Sequence, residues 1–99
     1  MKLVITHSAI KDLQEIKAFY AAQAVPEVGQ RFVTTILDKV QNLVLQPDVG
    51  RIVPEFCQAH IRELIYPPFR ILYLRDSSAV SVIRVWRSER QLLLPEDEE

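Results

Sequence analysis

The spacing of apolar residues changes once along this 99-residue chain, at the turn-forming segment 47–50. Before the turn, apolar residues recur every three or four positions, which is the period of an amphipathic helix. After the turn, they stand in short runs rich in β-branched and aromatic residues, which is typical of strands. One change of period in a chain of this size predicts a single α+β domain in which two helices precede most of the sheet.

Two helices are predicted before the turn. The first runs from about Ala9 to Gln23 and follows Ser8, a residue type that commonly caps a helix N-terminus. The second begins at Pro26, since proline suits the first helical position, and it ends near Leu45 ahead of the proline of the turn. The link between them is only two or three residues long, so we expect an antiparallel helix hairpin.

A short strand is predicted before the helices, over residues 3–6, and a meander of strands after them. The predicted later segments are 51–53, 61–66, 69–74 and 80–86. Their connections are short enough for antiparallel neighbours. We therefore expect an N-terminal strand, an antiparallel helix hairpin and an antiparallel β-meander packed against the helices. This domain spans residues 1–95 and is followed by the acidic tail 96–99.

The two faces of the predicted sheet are both apolar near their middle. Along the strand 69–75, strict alternation places Arg70, Leu72 and Leu74 on one face and the residues between them on the other. Arg84 and Trp86 share a face of the last strand in the same way. Two helices cover only one face of a sheet, so the other face is expected to keep an apolar surface that a partner can cover.

The net charge of −1 hides an uneven distribution. Residues 51–95 carry seven arginines, no lysine and four acidic residues, whereas the last four residues are all acidic. An arginine fork binds a phosphate or carboxylate with two parallel hydrogen bonds, which lysine cannot do. The sequence therefore predicts a basic sheet half whose charge is masked in the total by an acidic tail.

Several classes of site have no support in the sequence. With glycine only at Gly29 and Gly50 there is no glycine-rich phosphate loop, and one cysteine with two histidines makes no cysteine-based zinc site. We expect no metal and no cofactor. No apolar run approaches the ~18 residues of a membrane-spanning helix, and no signal-peptide pattern opens the chain. A cytoplasmic protein without membrane contact is expected.

A family resemblance rests on five short motifs that follow one another after residue 46. They are the segments 47–51, 53–56, 61–66, 69–73 and 84–90. Together with the segment 6–13, they resemble the RelE/ParE family of bacterial toxins over nearly the whole chain and in the family's order. These proteins are the toxin halves of type II toxin–antitoxin pairs. The resemblance implies the family fold, which agrees with the elements predicted from periodicity.

The family contains two activities. Its RelE branch cleaves mRNA in the ribosomal A site without a metal, and there the resemblance implies Glu55 as general base and Arg70 at the scissile phosphate. No His or Tyr follows Tyr73, so the usual proton donor of that branch is missing, and arginine is a poor acid at neutral pH. The candidate catalytic residues under this alternative are Glu55, Arg62, Arg70, Arg87 and Arg90.

The ParE branch inhibits DNA gyrase and is not a nuclease. The segment 85–90 resembles this branch more closely, so we expect a gyrase inhibitor that acts by protein binding rather than as an enzyme. A RelE-like endoribonuclease and a non-toxic binding or regulatory member of the family stay as alternatives. The residues expected to contact the target or antitoxin are Arg62, Arg70, Arg84, Trp86, Arg87 and Arg90.

The resemblance also implies a cognate antitoxin that wraps the toxin in a hetero-oligomer, and roles in growth arrest and plasmid stabilisation. An open sheet face and a groove along the helix hairpin suit strand addition or helix docking by such a partner. Purely structural roles are open for the same residues. Arg70 can pair with Glu63 or Glu55, Glu55 can be a solvated loop carboxylate, and Trp86 can belong to a core or an interface.

Overall fold

The computed structural model describes residues 1–87. Its strands are β1 (Lys2–Ile5), β2 (Arg51–Ile52), β3 (Ile61–Tyr66), β4 (Phe69–Arg75) and β5 (Ala79–Arg87), and its helices are α1 (His7–Ala22) and α2 (Pro26–Gln41). The predicted order of strand, helix hairpin and meander is confirmed. The acidic tail 96–99 and the candidate residue Arg90 lie outside the described residues.

The five strands form one mixed sheet in the order β1-β5-β4-β3-β2. β2 to β5 are antiparallel neighbours, as predicted, whereas β1 runs parallel to β5 with Leu3 opposite Val80. Between β1 and β5, which are neighbours in the sheet, the chain forms both helices and the strands β2 to β4. The predicted alternation along β4 is also confirmed, because Arg70 lies opposite Trp86 and Leu72 lies opposite Arg84.

The first helix begins earlier than the sequence predicted. Thr6, not Ser8, is the N-cap, and its hydroxyl accepts a hydrogen bond from the Ala9 N–H at 3.3 Å. The same hydroxyl donates to the Val82 carbonyl at 2.8 Å, and the Thr6 N–H donates there too. Thr6 thus ends β1 and starts α1 at one point, because it is bound to the neighbouring strand and to the helix at once.

The helices meet closely at Gly29, on α2. A Cβ atom at this position would stand 3.1 Å from the Tyr20 Cβ and 3.2 Å from the Lys17 Cα, so only glycine fits without displacing α1. At its end α2 is shorter than predicted, since the α-helix stops at Gln41 and is followed by a 3₁₀ turn, Asn42–Val44, three residues before Pro47.

The main core lies between the helices and one side of the sheet, which we call the helix-covered face. Fully buried side chains of both helices meet Phe69, Ile71 and Tyr73 of β4 and the valines of β5. The buried members of this core are Ala9, Leu13, Ile16, Ile36, Val40, Leu43, Phe69, Ile71, Tyr73, Val80, Val82 and Val85. Apolar burial of this kind is the dominant stabilising contribution in a small domain.

One polar group in this core fixes the turn at which the periodicity changes. The Tyr73 hydroxyl donates to the Pro47 carbonyl at 2.8 Å and accepts from the Gly50 N–H at 2.9 Å. Burial raises the pKa of this phenol above its ordinary value. A Cβ atom on residue 50 would stand 2.6 Å from that hydroxyl and 2.7 Å from the Glu63 carbonyl, so Gly50 is required by close approach.

The opposite side of the sheet, which we call the open face, carries three rows of side chains in register. One row joins Trp86, Arg70 and Ile65, and the next joins Arg84, Leu72, Glu63 and Arg51. A third joins Ser81, Leu74 and Ile61. The prediction of an apolar open face is therefore only partly right, because charged residues occupy its centre. Neither helix within residues 1–87 is long and apolar enough to cross a membrane.

Candidate functional site

Glu63 lies at the centre of the open face and is held by arginines on both neighbouring strands. Its side chain is completely buried, and its two carboxylate oxygens each accept a 2.6 Å hydrogen bond, one from Arg51 Nε on β2 and one from Arg70 Nε on β4. The register places Arg51 directly opposite Glu63, and it places Arg70 diagonally from Glu63, since Arg70 is opposite Ile65. A buried carboxylate needs such partners, since burial without them costs several kcal/mol.

The outer end of Arg70 reaches a loop that follows β2. Its two terminal nitrogens donate to the two oxygens of Glu55 at 3.2 and 3.1 Å, which is a bidentate pair. We refer to Arg51, Glu63, Arg70 and Glu55 as the ion-pair ladder. The sequence offered Glu63 and Glu55 as alternative structural partners for Arg70, and the structure shows that both are used.

The ladder shifts the ionisation of its members. Hydrogen bonding by its own backbone N–H, opposed by desolvation and assisted by Arg70, lowers the pKa of Glu55 below its usual value. Desolvation lowers the pKa of Arg70, but hydrogen bonds to Glu63 and Glu55 outweigh it and the pKa ends above its usual value. A carboxylate with a lowered pKa is a weaker general base, so this environment does not favour proton abstraction by Glu55 at neutral pH.

A second ion pair joins α1 to β5. Asp12 is almost fully buried and accepts from Arg84 Nε at 2.7 Å, from a terminal nitrogen of Arg84 at 3.1 Å and from the Val85 N–H at 2.9 Å. The hydrogen bond to Asp12 raises the pKa of Arg84. β1 pairs only with 79–82 of β5, so Asp12 satisfies a backbone N–H of β5 beyond the end of β1.

The sequence analysis did not identify this role of Asp12. A signal was present, because Asp12 stands beside Leu13 and one turn before Ile16 on the buried side of the helix. An acid at such a position needs a cationic or N–H partner from another element. The guanidinium of Arg84 also lies 5.2 Å from the Trp86 ring centroid, within cation–π distance.

Arg87 and Arg62 lie on the helix-covered side, away from the ladder. Arg87 sits 5.3 to 5.8 Å from the ring centroids of Phe19, Tyr20 and Phe69, and it donates to the Tyr20 hydroxyl at 2.8 Å. Arg62 donates to the carbonyls of Ala59 and Gly50, both at 2.9 Å, and so supports the turn before β2.

The candidate residues therefore do not form one site. The structure brings Glu55 and Arg70 together and sets Trp86 and Arg84 beside them, but it places Arg62 and Arg87 elsewhere. Most of the sheet-half arginines are neutralised internally, since Arg51, Arg62, Arg70, Arg75 and Arg84 each form an ion pair with an acid. The predicted basic sheet half is thus a paired surface rather than an open cationic patch. Within residues 1–87, no group of three or more His, Cys, Asp or Glu side chains could hold a metal ion.

Comparisons with known proteins agree on one family. A family model described as the ParE toxin of the type II toxin–antitoxin system parDE matches residues 3–92. The chromosomal ParDE toxin–antitoxin system from P. aeruginosa contains a similar chain, with a TM-score of 0.71 and 27% identity over 88% of this chain and 95% of that one.

A second solved structure shares the fold at lower identity. It belongs to the toxin–antitoxin complex RelBE2 from Mycobacterium tuberculosis, with a TM-score of 0.63 and 18% identity over 87% of this chain and 95% of that one. At this identity the likeness concerns the fold alone. No curated protein matches the chain by sequence.

Proposed function

Because this chain belongs to the ParE toxin family of type II toxin–antitoxin systems, we propose that it inhibits DNA gyrase by binding it and is neutralised by a cognate antitoxin. The match to the ParE family over residues 3–92 carries this proposal. The gyrase target follows from the resemblance to the ParE branch. As gyrase is a cytoplasmic enzyme, the proposal also places the protein in the cytoplasm and predicts growth arrest when the antitoxin is absent.

The ion pairs made by Glu55 and Arg70, the main candidates for a ribonuclease site, support a binding function instead. Glu55 and Arg70 are bound to each other, and Arg70 is bound to Glu63 as well. A phosphate approaching Arg70 has to compete with two carboxylates that are already in place. The lowered pKa of Glu55 also weakens it as a base. This arrangement is more readily understood as a structural support for the sheet than as a prepared catalytic site.

The end of β5 is the most suitable region for target contact. Trp86 and Arg84 are partly exposed and stand next to each other on the open face. Arg84, Arg62 and Arg70 all form internal contacts, but the Arg84 side chain is still 42% exposed, whereas that of Arg70 is 7% exposed. Tryptophan and arginine are among the residue types that are enriched at the hot spots of protein interfaces. We therefore propose Trp86 and Arg84 as target-contact residues; Arg90 stays a prediction.

An antitoxin partner is supported by the fact that both structural relatives come from toxin–antitoxin pairs. The chain offers exposed apolar side chains on both layers: Phe19 on α1, Ile65 on β3 and Leu74 on β4. We propose that the antitoxin covers part of this surface in a hetero-oligomer, with acidic residues near the arginines. Antitoxin affinity should then fall in 1 M NaCl, and an affinity that does not change with salt would exclude the electrostatic contribution.

The test is a pair of assays run on the same purified chain. In a supercoiling assay, gyrase should lose activity, and in a translation assay with ribosomes, mRNA should stay uncut in the A site. A Trp86→Ala variant should lose most of the gyrase inhibition. The control Arg31→Ala, on the exposed side of α2, should retain it.

Two outcomes would replace the proposal. A-site cleavage that is lost in Glu55→Gln would establish the RelE-like ribonuclease, which the direct contact between Glu55 and Arg70 favours as second candidate. If the chain neither inhibits gyrase nor cleaves mRNA, and its expression does not arrest growth, the result would establish a non-toxic binding or regulatory member of the family.

A further inference from the structure

The side chains of β5 change the face that they occupy at Ile83. Val82 and Val85 both lie in the core, although they stand three positions apart. Between them, Ile83 has no partner in the register with β4, so it forms a β-bulge. An inserted residue reverses the alternation of the positions that follow it. Arg84 and Trp86 therefore lie on the open face, whereas strict alternation from Val82 would direct them into the core.

The segment that runs from β1 into α1 holds the backbone on both sides of this bulge. On one side, the Val82 carbonyl accepts from the Thr6 hydroxyl at 2.8 Å and from the Thr6 N–H at 3.1 Å. On the other side, the Val85 N–H donates to Asp12 at 2.9 Å. These contacts take the place of a neighbouring strand, because β1 pairs with β5 only as far as Val82. The bulge is thus fixed at both ends by one continuous segment of chain.

The carboxylate of Asp12 also orients Arg84. One of its oxygens accepts from Arg84 Nε at 2.7 Å as well as from the Val85 N–H, and the other accepts from a terminal nitrogen of Arg84 at 3.1 Å. The guanidinium is held in this position 5.2 Å from the ring centroid of Trp86. The Asp12 side chain is only 8% exposed, whereas that of Arg84 is 42% exposed. A buried carboxylate therefore sets the orientation of a pair of side chains that reach the surface.

We infer that Asp12 is a positioning residue for target binding, which keeps Arg84 beside Trp86 in the arrangement that a target protein binds. This inference rests on the proposed function, since the two side chains are target contacts only under it. An arginine that is already held by a fixed partner loses less conformational entropy when a target binds it. The second terminal nitrogen of Arg84 makes no hydrogen bond to residues 1–87, so it can donate to a carboxylate of the target while Asp12 keeps the rest of the fork.

The test is a double-mutant cycle that measures gyrase inhibition. Asp12→Asn keeps the size of the side chain and an acceptor for the Val85 N–H, but it removes the charge that holds Arg84. The concentration needed for half-inhibition of supercoiling should rise about tenfold. In an Arg84→Ala background, the same substitution should change that concentration by less than about twofold, because no guanidinium is left to position. A purely structural role of Asp12 would instead give the same loss in both backgrounds.

Two controls separate positioning from a general loss of charge or stability. Glu15→Gln removes an acid one turn further along α1 whose charge also acts on Arg84, and inhibition should stay within about twofold of the wild type. Val40→Ala removes buried methyl groups on α2, so it lowers stability without changing Asp12 or its partners, and it should retain inhibition. Water can solvate the exposed part of Arg84 in Asp12→Asn, so this variant should remain folded, which circular dichroism checks.

A second measurement needs no gyrase and begins with the wild type. By NMR, the Nε–H proton of Arg84 should exchange with water about tenfold more slowly than that of Arg31, an exposed arginine on α2, because it is bound to Asp12. In Asp12→Asn the two protons should exchange at similar rates.

The results separate the positioning role from the proposed function. A wild-type chain that does not inhibit gyrase would overturn the proposed function, and this inference with it. Inhibition by the wild type that is unchanged in Asp12→Asn, or that falls equally in both backgrounds, would overturn the positioning role alone. A wild-type Arg84 proton that exchanges as fast as that of Arg31 would also overturn it, because Arg84 would then not be held.

Discussion

The two faces of the sheet bury consecutive residues of β4 by opposite means. Ile71 is buried among apolar side chains of both helices, whereas Arg70 is buried between two carboxylates on the open face. The helix-covered face depends on apolar area and tight packing, and the open face depends on charge pairing. A domain this small can therefore bury both sides of a central strand although helices cover only one.

A substitution in the open face is therefore expected to cost more stability per atom removed than one in the helix-covered face. Removing a methyl group from an apolar core leaves a cavity whose cost depends on how far the surroundings relax. Removing one member of a buried ion cluster leaves its partners charged and unpaired, which costs more per atom removed. The following variants test this difference, from the largest expected effect to the smallest.

Glu63→Ala should produce the largest loss, about 3–5 kcal/mol in the free energy of unfolding, because two arginines lose their shared carboxylate. Urea denaturation at pH 7 measures it. The control Asp38→Ala changes an exposed acid that makes no ion pair within residues 1–87, and it should stay within about 0.5 kcal/mol of the wild type. Equal effects of the two variants would show that the ladder does not stabilise the open face.

Ile71→Ala should cost about 3 kcal/mol, through lost apolar contact and a residual cavity. This loss should be the same in 0.1 and 1 M NaCl, because no charge is involved. The loss in Glu63→Ala is expected to depend on salt concentration. If both losses respond to salt in the same way, the two faces are not stabilised by different forces.

Tyr73→Phe should cost about 1–2 kcal/mol, since the Gly50 N–H loses its acceptor and the Pro47 carbonyl loses a donor while the ring stays in place. The matched control is Tyr66→Phe on the same face, because the Tyr66 hydroxyl makes no hydrogen bond within residues 1–87. Thermal unfolding of both variants should separate them by several degrees. An equal melting temperature would mean that the turn does not depend on the phenol.

Glu55→Gln should have the smallest effect, below about 1 kcal/mol, because half of the Glu55 side chain is exposed and solvent screens the pair. The pKa of Glu55 is lowered in the folded state, so its contribution is present above the unfolded-state pKa and is lost as the pH falls through the folded-state pKa. The wild type and the variant should therefore differ in stability at pH 7 and converge as the pH falls below the folded-state pKa of Glu55. A constant difference across that range would contradict the assignment.

The sequence predicted the elements well because their signals are local. Periodicity, Pro26 and the turn before β2 defined both helices and the meander to within a few residues. Contacts between segments that are far apart in the sequence could not be predicted in this way. The parallel pairing of β1 with β5 and the bond from Asp12 to Arg84 join residues more than 70 positions apart, and no local pattern specifies which strand the first one joins.

The candidate site shows the same limit. Arg70 and Glu55 were identified from family motifs, and their contact was one of two structural pairings considered. The sequence did not indicate that Arg70 would bind both Glu55 and Glu63, because that depends on how the loop after β2 folds over the register of β2, β3 and β4. Alternation along the last strand does place Arg87 on the face opposite Arg84 and Trp86, as the structure shows. The sequence did not separate Arg62 from the other candidate arginines, because its charge does not reveal which loop carbonyls it binds.

The parallel pairing of β1 with β5 also sets the order of events during synthesis. Within residues 1–87, β1 pairs only with β5, so it has no partner in the sheet until β5 has left the ribosome, and the hydrogen bonds that Thr6 and Asp12 make to β5 cannot form earlier. β1 therefore cannot take its place in the sheet before β5 has been synthesised. A ribosome carrying an unfinished copy holds a chain whose hairpin and first strand still lack the surface on which they pack.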